Sequence, residues 1–138
     1  MKKTKVYLAA PWFSEKQEEI YNKVVCGLRA IERFELLLPR DFVVEDGNDI
    51  SNALWAQMVF EHDKNLIDHC DIIYAIDWGF ESDAGTAWEI GYAHAKNIPI
   101  VIVRPREVKR ASLMIGGCCM ATVDETLHYM EFGKTEYK

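Results

Sequence analysis

No apolar run in this 138-residue sequence approaches the ~18 residues of a membrane span. The six-residue apolar stretch after Met1-Lys2-Lys3-Thr4-Lys5 is too short for the core of a secretory signal. A cytoplasmic protein is expected. Positive charge is in deficit: 16 Lys plus Arg against 22 Asp plus Glu give a net charge of −6, the wrong sign for gripping a nucleic-acid backbone by counterion release. Proline and cysteine are sparse, at four each. Cys26, Cys70, Cys118 and Cys119 make no CxxC pair and are too few for a disulfide scaffold, so they read as reduced, small apolar residues. The histidines, His62, His69, His94 and His128, are dispersed, which leaves no metal-ligand spacing. GxGxxG, P-loop, GxSxG and HExxH patterns are all missing, and with them the usual parts for dinucleotide, triphosphate, serine-hydrolase and zinc-protease chemistry.

What is present is a globular composition, with 49% hydrophobic and 28% charged residues, and a chain length suited to one domain over 1–138. Short apolar runs alternate with helical periodicity. Lys5 to Ala10, Phe34 to Leu38, Asp71 to Ile76 and Ile98 to Val103 read as buried strands, and Gly116 to Thr122 as a fifth. Ser14 with Gln17 is a capping box opening a helix marked by Ile20, Val24, Val25, Leu28 and Ile31. Ser51 or Asp49 caps a second helix with a core-facing stripe of Leu54, Trp55, Met58, Val59 and Leu66. A third runs from about Thr86 to Lys96, and Thr122 with Glu125 is a capping box for a last short helix. Residues 40–50 form a long loop, and a basic loop follows from Arg104 to Arg110. The alternation predicts an α/β fold, a parallel sheet with helices on both faces joined by right-handed crossovers. Such sheets bind ligands at the carboxyl ends of their strands, which nominates residues 9–13, the loop from 40, residues 77–89 and the loop from 104.

Carboxylates are the groups left to carry chemistry. Asp77, Glu81, Asp83 and Glu89 fall at or beyond the end of the third strand, and Asp63 lies on the helix before it. Acids converging on one crevice can divide into a nucleophile and a proton donor, as in retaining glycosyl chemistry. Glu89, placed in the first turn of its helix, would be held anionic by the helix dipole. The same four residues, Thr86-Ala87-Trp88-Glu89, also form a capping-box pattern in which Glu89 would only satisfy a backbone N–H. Gly91, costly inside a helix, suggests close approach by a strand or ligand. Solvated acids at Asp83 and Asp63, and core packing for Tyr7 and Phe13, are the plain alternatives.

Taken together, Tyr7-Leu8-Ala9-Ala10-Pro11-Trp12-Phe13, the Trp55 and Asp63 pair, and Asp83-Ala84-Gly85-Thr86-Ala87-Trp88-Glu89-Ile90-Gly91-Tyr92-Ala93 resemble the nucleoside 2-deoxyribosyltransferase family over roughly residues 5–103. The resemblance implies a flavodoxin-like, doubly wound, five-stranded parallel sheet. It also implies an enzyme of nucleoside salvage that exchanges the purine or pyrimidine base on 2-deoxyribose without metal or organic cofactor. Glu89 matches the nucleophile, which forms a covalent deoxyribosyl ester and gives net retention. Tyr7 matches the residue that orients it, and Asp83 the acid that protonates the departing base. Asp63 matches a site aspartate, and Trp12 and Phe13 the aromatic wall. A homo-oligomer with sites shared across subunits is implied as well. The stretch that would reach a neighbour's sugar site contains Ser112 and Met114, assigned here as substrate-binding.

Three features depart from the family pattern. Ser112 to Ala121 holds no Asn for the sugar 5-hydroxyl, the last residue is Lys138 rather than an aromatic, and residues 40–50 lack a base-binding Gln. The related 2-deoxynucleoside 5-monophosphate N-hydrolases are one alternative, with Ser112, Arg104, Arg106, Lys109 and Arg110 available for a phosphate. Against them, Pro11-Trp12-Phe13-Ser14-Glu15 offers an apolar wall and an acid where a phosphate cradle would need Gly and Arg. A non-catalytic nucleoside-binding module is the other alternative, and it would have no use for a nucleophile beside a proton donor.

Overall fold

The computed structural model describes residues 2–44, 50–130 and 136–138. Four βα crossovers build one sheet. Strands β1 (Thr4–Ala9), β2 (Phe34–Leu37), β3 (Ile72–Ile76), β4 (Ile100–Val103) and β6 (Ala121–Val123) pair in parallel in the order β2-β1-β3-β4-β6. This is the flavodoxin-like order, with its switch point between β1 and β3. A two-residue strand, β5 (Arg110–Ala111), pairs in parallel with β7 (Glu136–Tyr137), which ties the C-terminal segment to the loop after β4.

Side-chain alternation along β1 divides the core. Leu8 and Ala10 face α1 (Glu15–Arg29), packing with Ile20, Val24 and Leu28. Tyr7 and Ala9 face the opposite layer, formed by α2 (Asn52–His69), α3 (Ala84–Ala95) and α4 (Leu113–Cys118), and pack with Ile67, Ile73, Ile90 and Ile102. All four residues of β4 are buried, as a strand covered on both faces requires. The predicted capping box opens α1: the Gln17 amide donates to Ser14 Oγ and the Gln17 side chain accepts from the Ser14 amide.

Several expectations are corrected. The stretch 116–122 is not one strand. Ser112 caps α4 by accepting the Met114 amide at 3.2 Å, the thiols of Cys118 and Cys119 donate back to the carbonyls of Ile115 and Gly116, and only Ala121–Val123 enters the sheet. Thr122 opens no helix because its backbone is committed to the ladder beside Ile102. Asp124 instead collects the amides of Thr126 and His128, turning the chain back so that Tyr129 bridges Val123 antiparallel.

On α2 only Ile67 is buried, while Leu54, Trp55 and Met58 are 45%, 49% and 38% exposed, so the stripe is not core-facing over its first half. Length explains this. The 18 residues of α2 span about 27 Å at the helical rise, whereas the five residues of β3 cover only about 17 Å. The helix overhangs the carboxyl end of the sheet, and its first two turns have no strand beneath them. Gly91 is exposed with nothing near its missing Cβ, so no close approach accounts for it. The loop from 40 begins as a 3-10 turn, Pro39–Asp41. Residues 45–49 of that loop, including the alternative cap Asp49, lie outside the described residues.

Candidate active site

The β1/β3 switch point, the end of β2 and the α2 overhang together wall a cleft of 310 Å³. From the β1 loop come Trp12 and Phe13; from the β2 loop Pro39, Arg40 and Phe42; from α2 Trp55, Val59 and Asp63; and from the start of α3 Asp83, Gly85 and Glu89. The loop from 104, nominated by the strand-end rule, does not reach it. A second hollow of 240 Å³, between α2 and α3, shares Asp63, Gly85 and Glu89 and is otherwise walled by Phe60, Lys64, Ile67 and Trp88. Glu89 is therefore reachable from two sides.

Glu89 is the sixth residue of α3, beyond the first turn, so the dipole placement expected for it does not hold. The capping-box alternative fails as well. Asp83 is the N-cap, its Oδ2 accepting the Thr86 amide at 2.8 Å and the Thr86 hydroxyl at 2.9 Å. Gly85 leaves room for that carboxylate, since a Cβ there would lie 3.2 Å from Oδ2. Freed from capping, Glu89 turns inward and its Oε2 accepts a hydrogen bond from the Tyr7 hydroxyl. Tyr7 is wholly buried at the centre of the sheet, and its odd position on β1 aims it at the α3 layer.

Burial pushes the Glu89 carboxyl up to about 8; the Tyr7 hydrogen bond lowers it, and the charges of Asp63 and Asp83 raise it further. Burial, then the charge and hydrogen bond of Glu89, hold the Tyr7 phenol far above its ordinary range, so it remains a donor at any working pH. Burial also raises Asp63, against the pull of His62, whose Nδ1 lies 2.9 Å from Asp63 Oδ1. The His62 ring stacks on Phe42 at 3.8 Å and 10°. Sequence reasoning missed His62, Phe42 and Arg40. Adjacency to Asp63 was the one available signal for His62, and nothing local pairs it with a ring 20 positions earlier.

Of the other expected site residues, Trp12 and Phe13 stand side by side, ring centroids 5.4 Å apart. Ser112 and Met114 lie outside the cleft of their own chain, at the start of α4, with Met114 exposed. Glu81 is exposed and Asp77 is buried beneath the loop; neither lines the cleft. Among the described residues no three His, Cys, Asp or Glu side chains converge in a metal-binding arrangement, and no helix is long and apolar enough to cross a membrane. A carboxyl held by a phenol, two further acids and aromatic walls suit displacement at an electrophilic carbon next to a flat, uncharged ring.

The sequence profile of the nucleoside 2-deoxyribosyltransferases matches residues 6–130. This chain belongs to the nucleoside 2-deoxyribosyltransferase family, a family of enzymes. It is 27% identical over 116 residues to the nucleoside deoxyribosyltransferase of Lactobacillus leichmannii, covering 78% of this chain and 74% of that one. It is 29% identical over 114 residues to a protein of Thermofilum pendens provisionally assigned as 2'-deoxynucleoside 5'-phosphate N-hydrolase 1, covering 82% and 77%. Among solved structures, the 2-deoxyribosyltransferase of Bacillus psychrosaccharolyticus superposes with a TM-score of 0.77 at 28% identity over 98% of this chain and all of that one.

The raised Glu89 carboxyl has a consequence for stability. Between about pH 4.5 and 8 the folded protein keeps a proton that the unfolded chain releases, so stability falls as pH rises through that window. Glu89→Gln lacks this penalty. Thermal and urea melts should show near-equal stability at pH 5 and a Gln variant more stable by about 2 kcal/mol or more at pH 9; parallel curves would contradict the burial of this group.

Proposed function

We propose that the protein transfers 2-deoxyribose between purine or pyrimidine bases by a retaining double displacement. The observation that carries this reading is the hydrogen bond from the buried Tyr7 to Glu89 at the floor of an aromatic-walled cleft. One oxygen of Glu89 in its carboxylate form attacks the anomeric carbon as the glycosidic C–N bond breaks, and Asp83 gives a proton to the departing base nitrogen. The product is a deoxyribosyl ester of Glu89. An incoming base nitrogen then attacks the same carbon, the ester C–O bond breaks, Glu89 leaves as carboxylate, and Asp83 recovers a proton from the new base. Two inversions give net retention. Tyr7 orients the nucleophile and favours its anion; Asp63 serves sugar and base, and Trp12 and Phe13 stack on the base. The reaction needs neither metal nor organic cofactor, and the setting it implies is nucleoside salvage in the cytoplasm.

Charge distribution supports an unphosphorylated donor over the N-hydrolase alternative. Among the described residues, the one basic residue on the cleft wall, Arg40, pairs with Glu18 at 2.5 Å. In the loop offered as a phosphate site, Arg104 is bonded to Asp77 and Arg106 to Asp124, Arg110 lies 3.4 Å from Glu136, and Lys109 donates to the Arg106 carbonyl. A phosphate, with about two negative charges, would meet Asp63, Asp83 and Glu89. Deoxyadenosine should therefore exceed deoxyadenosine monophosphate in kcat/KM at least about tenfold, equivalent to ~1.4 kcal/mol, in base exchange with a second nucleobase. Preference for the monophosphate, with deoxyribose phosphate released, would favour the hydrolase.

The apolar side chains left exposed on the α2–α3–α4 layer, Leu54, Trp55, Met58, Phe60, Trp88, Leu113 and Met114, support self-association. A neighbouring copy would bring its Ser112 and Met114 to the open flank of Glu89. Light scattering should show an oligomer, and Leu54→Glu, outside the cleft, should give monomers with exchange activity down at least tenfold, about 1.4 kcal/mol. A fully active monomer would remove the shared site.

A further inference from the structure

Asp77, directly after β3, is 2% exposed, and its carboxylate joins the loop that ends at Asp83 to the end of β4. Its Oδ1 accepts the Gly79 amide at 3.0 Å and the Ser82 hydroxyl at 2.6 Å, and its Oδ2 accepts Arg104 Nη2 at 2.8 Å. Arg104 follows β4 at the start of the basic loop and is wholly buried, which takes it out of reach of a phosphate. Its guanidinium lies 5.6 Å from the centroid of the Tyr137 ring, with the Tyr137 hydroxyl 3.5 Å from Nη1. Gly79 sits at φ +71°, where a side chain would collide with the Arg110 carbonyl and with Val108. The loop thus has one shape, and one residue past Ser82 it delivers Asp83 in the extended conformation (φ −70°, ψ 129°) that caps α3.

A buried ion pair adds little stability over well-packed apolar residues of the same volume, yet breaking one is costly. What this pair supplies is geometry: both oxygens of Asp77 and three donors are assigned, so the loop cannot slide along the end of β3. Neither Asp77 nor Arg104 lines the cleft, so any effect they have on the reaction runs through the residue the loop carries.

We infer that Asp77, Ser82 and Arg104 are positioning residues for Asp83, and that Tyr137 ties the C-terminal strand β7 to the same support. This rests on the proposed role of Asp83 as proton donor to the departing base. A positioning role separates from a merely structural one by leaving group. Deoxyinosine loses its base only with a proton delivered to it, whereas 7-methyl-2'-deoxyguanosine carries a cationic base that departs without one.

Ser82→Ala removes the hydroxyl that lies 2.6 Å from both Asp77 Oδ1 and the Gly79 carbonyl while leaving Arg104 paired. It should lower kcat for deoxyinosine about 10- to 100-fold, the scale of a misplaced catalytic group, with KM and the rate on the methylated donor within about twofold of wild type. Asp83→Asn should show the same selectivity, and the double variant should be no slower on deoxyinosine than Asp83→Asn alone. Tyr137→Phe, which keeps the ring, should give a smaller selective loss than Tyr137→Ala. Equal losses on both donors, no loss on either, or additive losses in the double variant would overturn the inference while leaving the transferase reading intact. A wild type that exchanges neither donor would overturn both.

Discussion

A phenol at the centre of a parallel sheet donates to a carboxyl on the second turn of a packed helix, and most of the site follows from that contact. Tyr7 can reach Glu89 only because β1 is flanked on both sides, by β2 and β3, and its odd residues face the α3 layer. Glu89 can turn inward only because Asp83 takes over the capping of α3. Burial then raises the carboxyl while the phenol restrains the rise and holds the group in one orientation. That arrangement costs stability above the carboxyl's titration, the kind of expense that functional sites impose on a fold.

The second constraint is the mismatch between α2 and the strands it covers. A helix that outruns its sheet leaves Trp55, Val59 and Asp63 free to wall the cleft, and the same overhang leaves Leu54 and Met58 facing outward. One geometric fact thus yields a wall for the cleft and an apolar outer layer. It also explains why Glu89 is open toward α2 and α3 as well as toward the strand ends: among the described residues of one chain nothing closes the second flank.

Much of the fold was legible because it rests on local pattern. The apolar runs of β1, β3 and β4, the Ser14–Gln17 cap and the strand–helix alternation all specify their elements without help from distant residues. That Asp63, Asp83 and Glu89 share one cleft, with Tyr7 bonded to Glu89 beneath it, was legible through the motif resemblance and the strand-end rule. What escaped depended on tertiary partners. Arg104 sits in a run of basic residues that looks like surface, and only Asp77, 27 positions earlier, makes its burial tolerable. The α2 stripe has perfect helical spacing, but spacing does not say how far the sheet extends beneath it. Thr122 with Glu125 has the letters of a cap, yet pairing with β4 claims the Thr122 backbone and Asp124 takes the turn. His62 on Phe42 joins two elements whose contact no local signal announces.

The central claim is that Glu89 is the atom donor of a covalent sugar–enzyme bond. Intact-protein mass spectrometry after acid quench of the enzyme with deoxyinosine, followed by peptide mapping, tests it most directly. The account predicts a deoxyribosyl adduct localised to Glu89, discharged on adding a second nucleobase and missing from Glu89→Ala. An adduct on another residue, or rapid base exchange by Glu89→Ala, would contradict it.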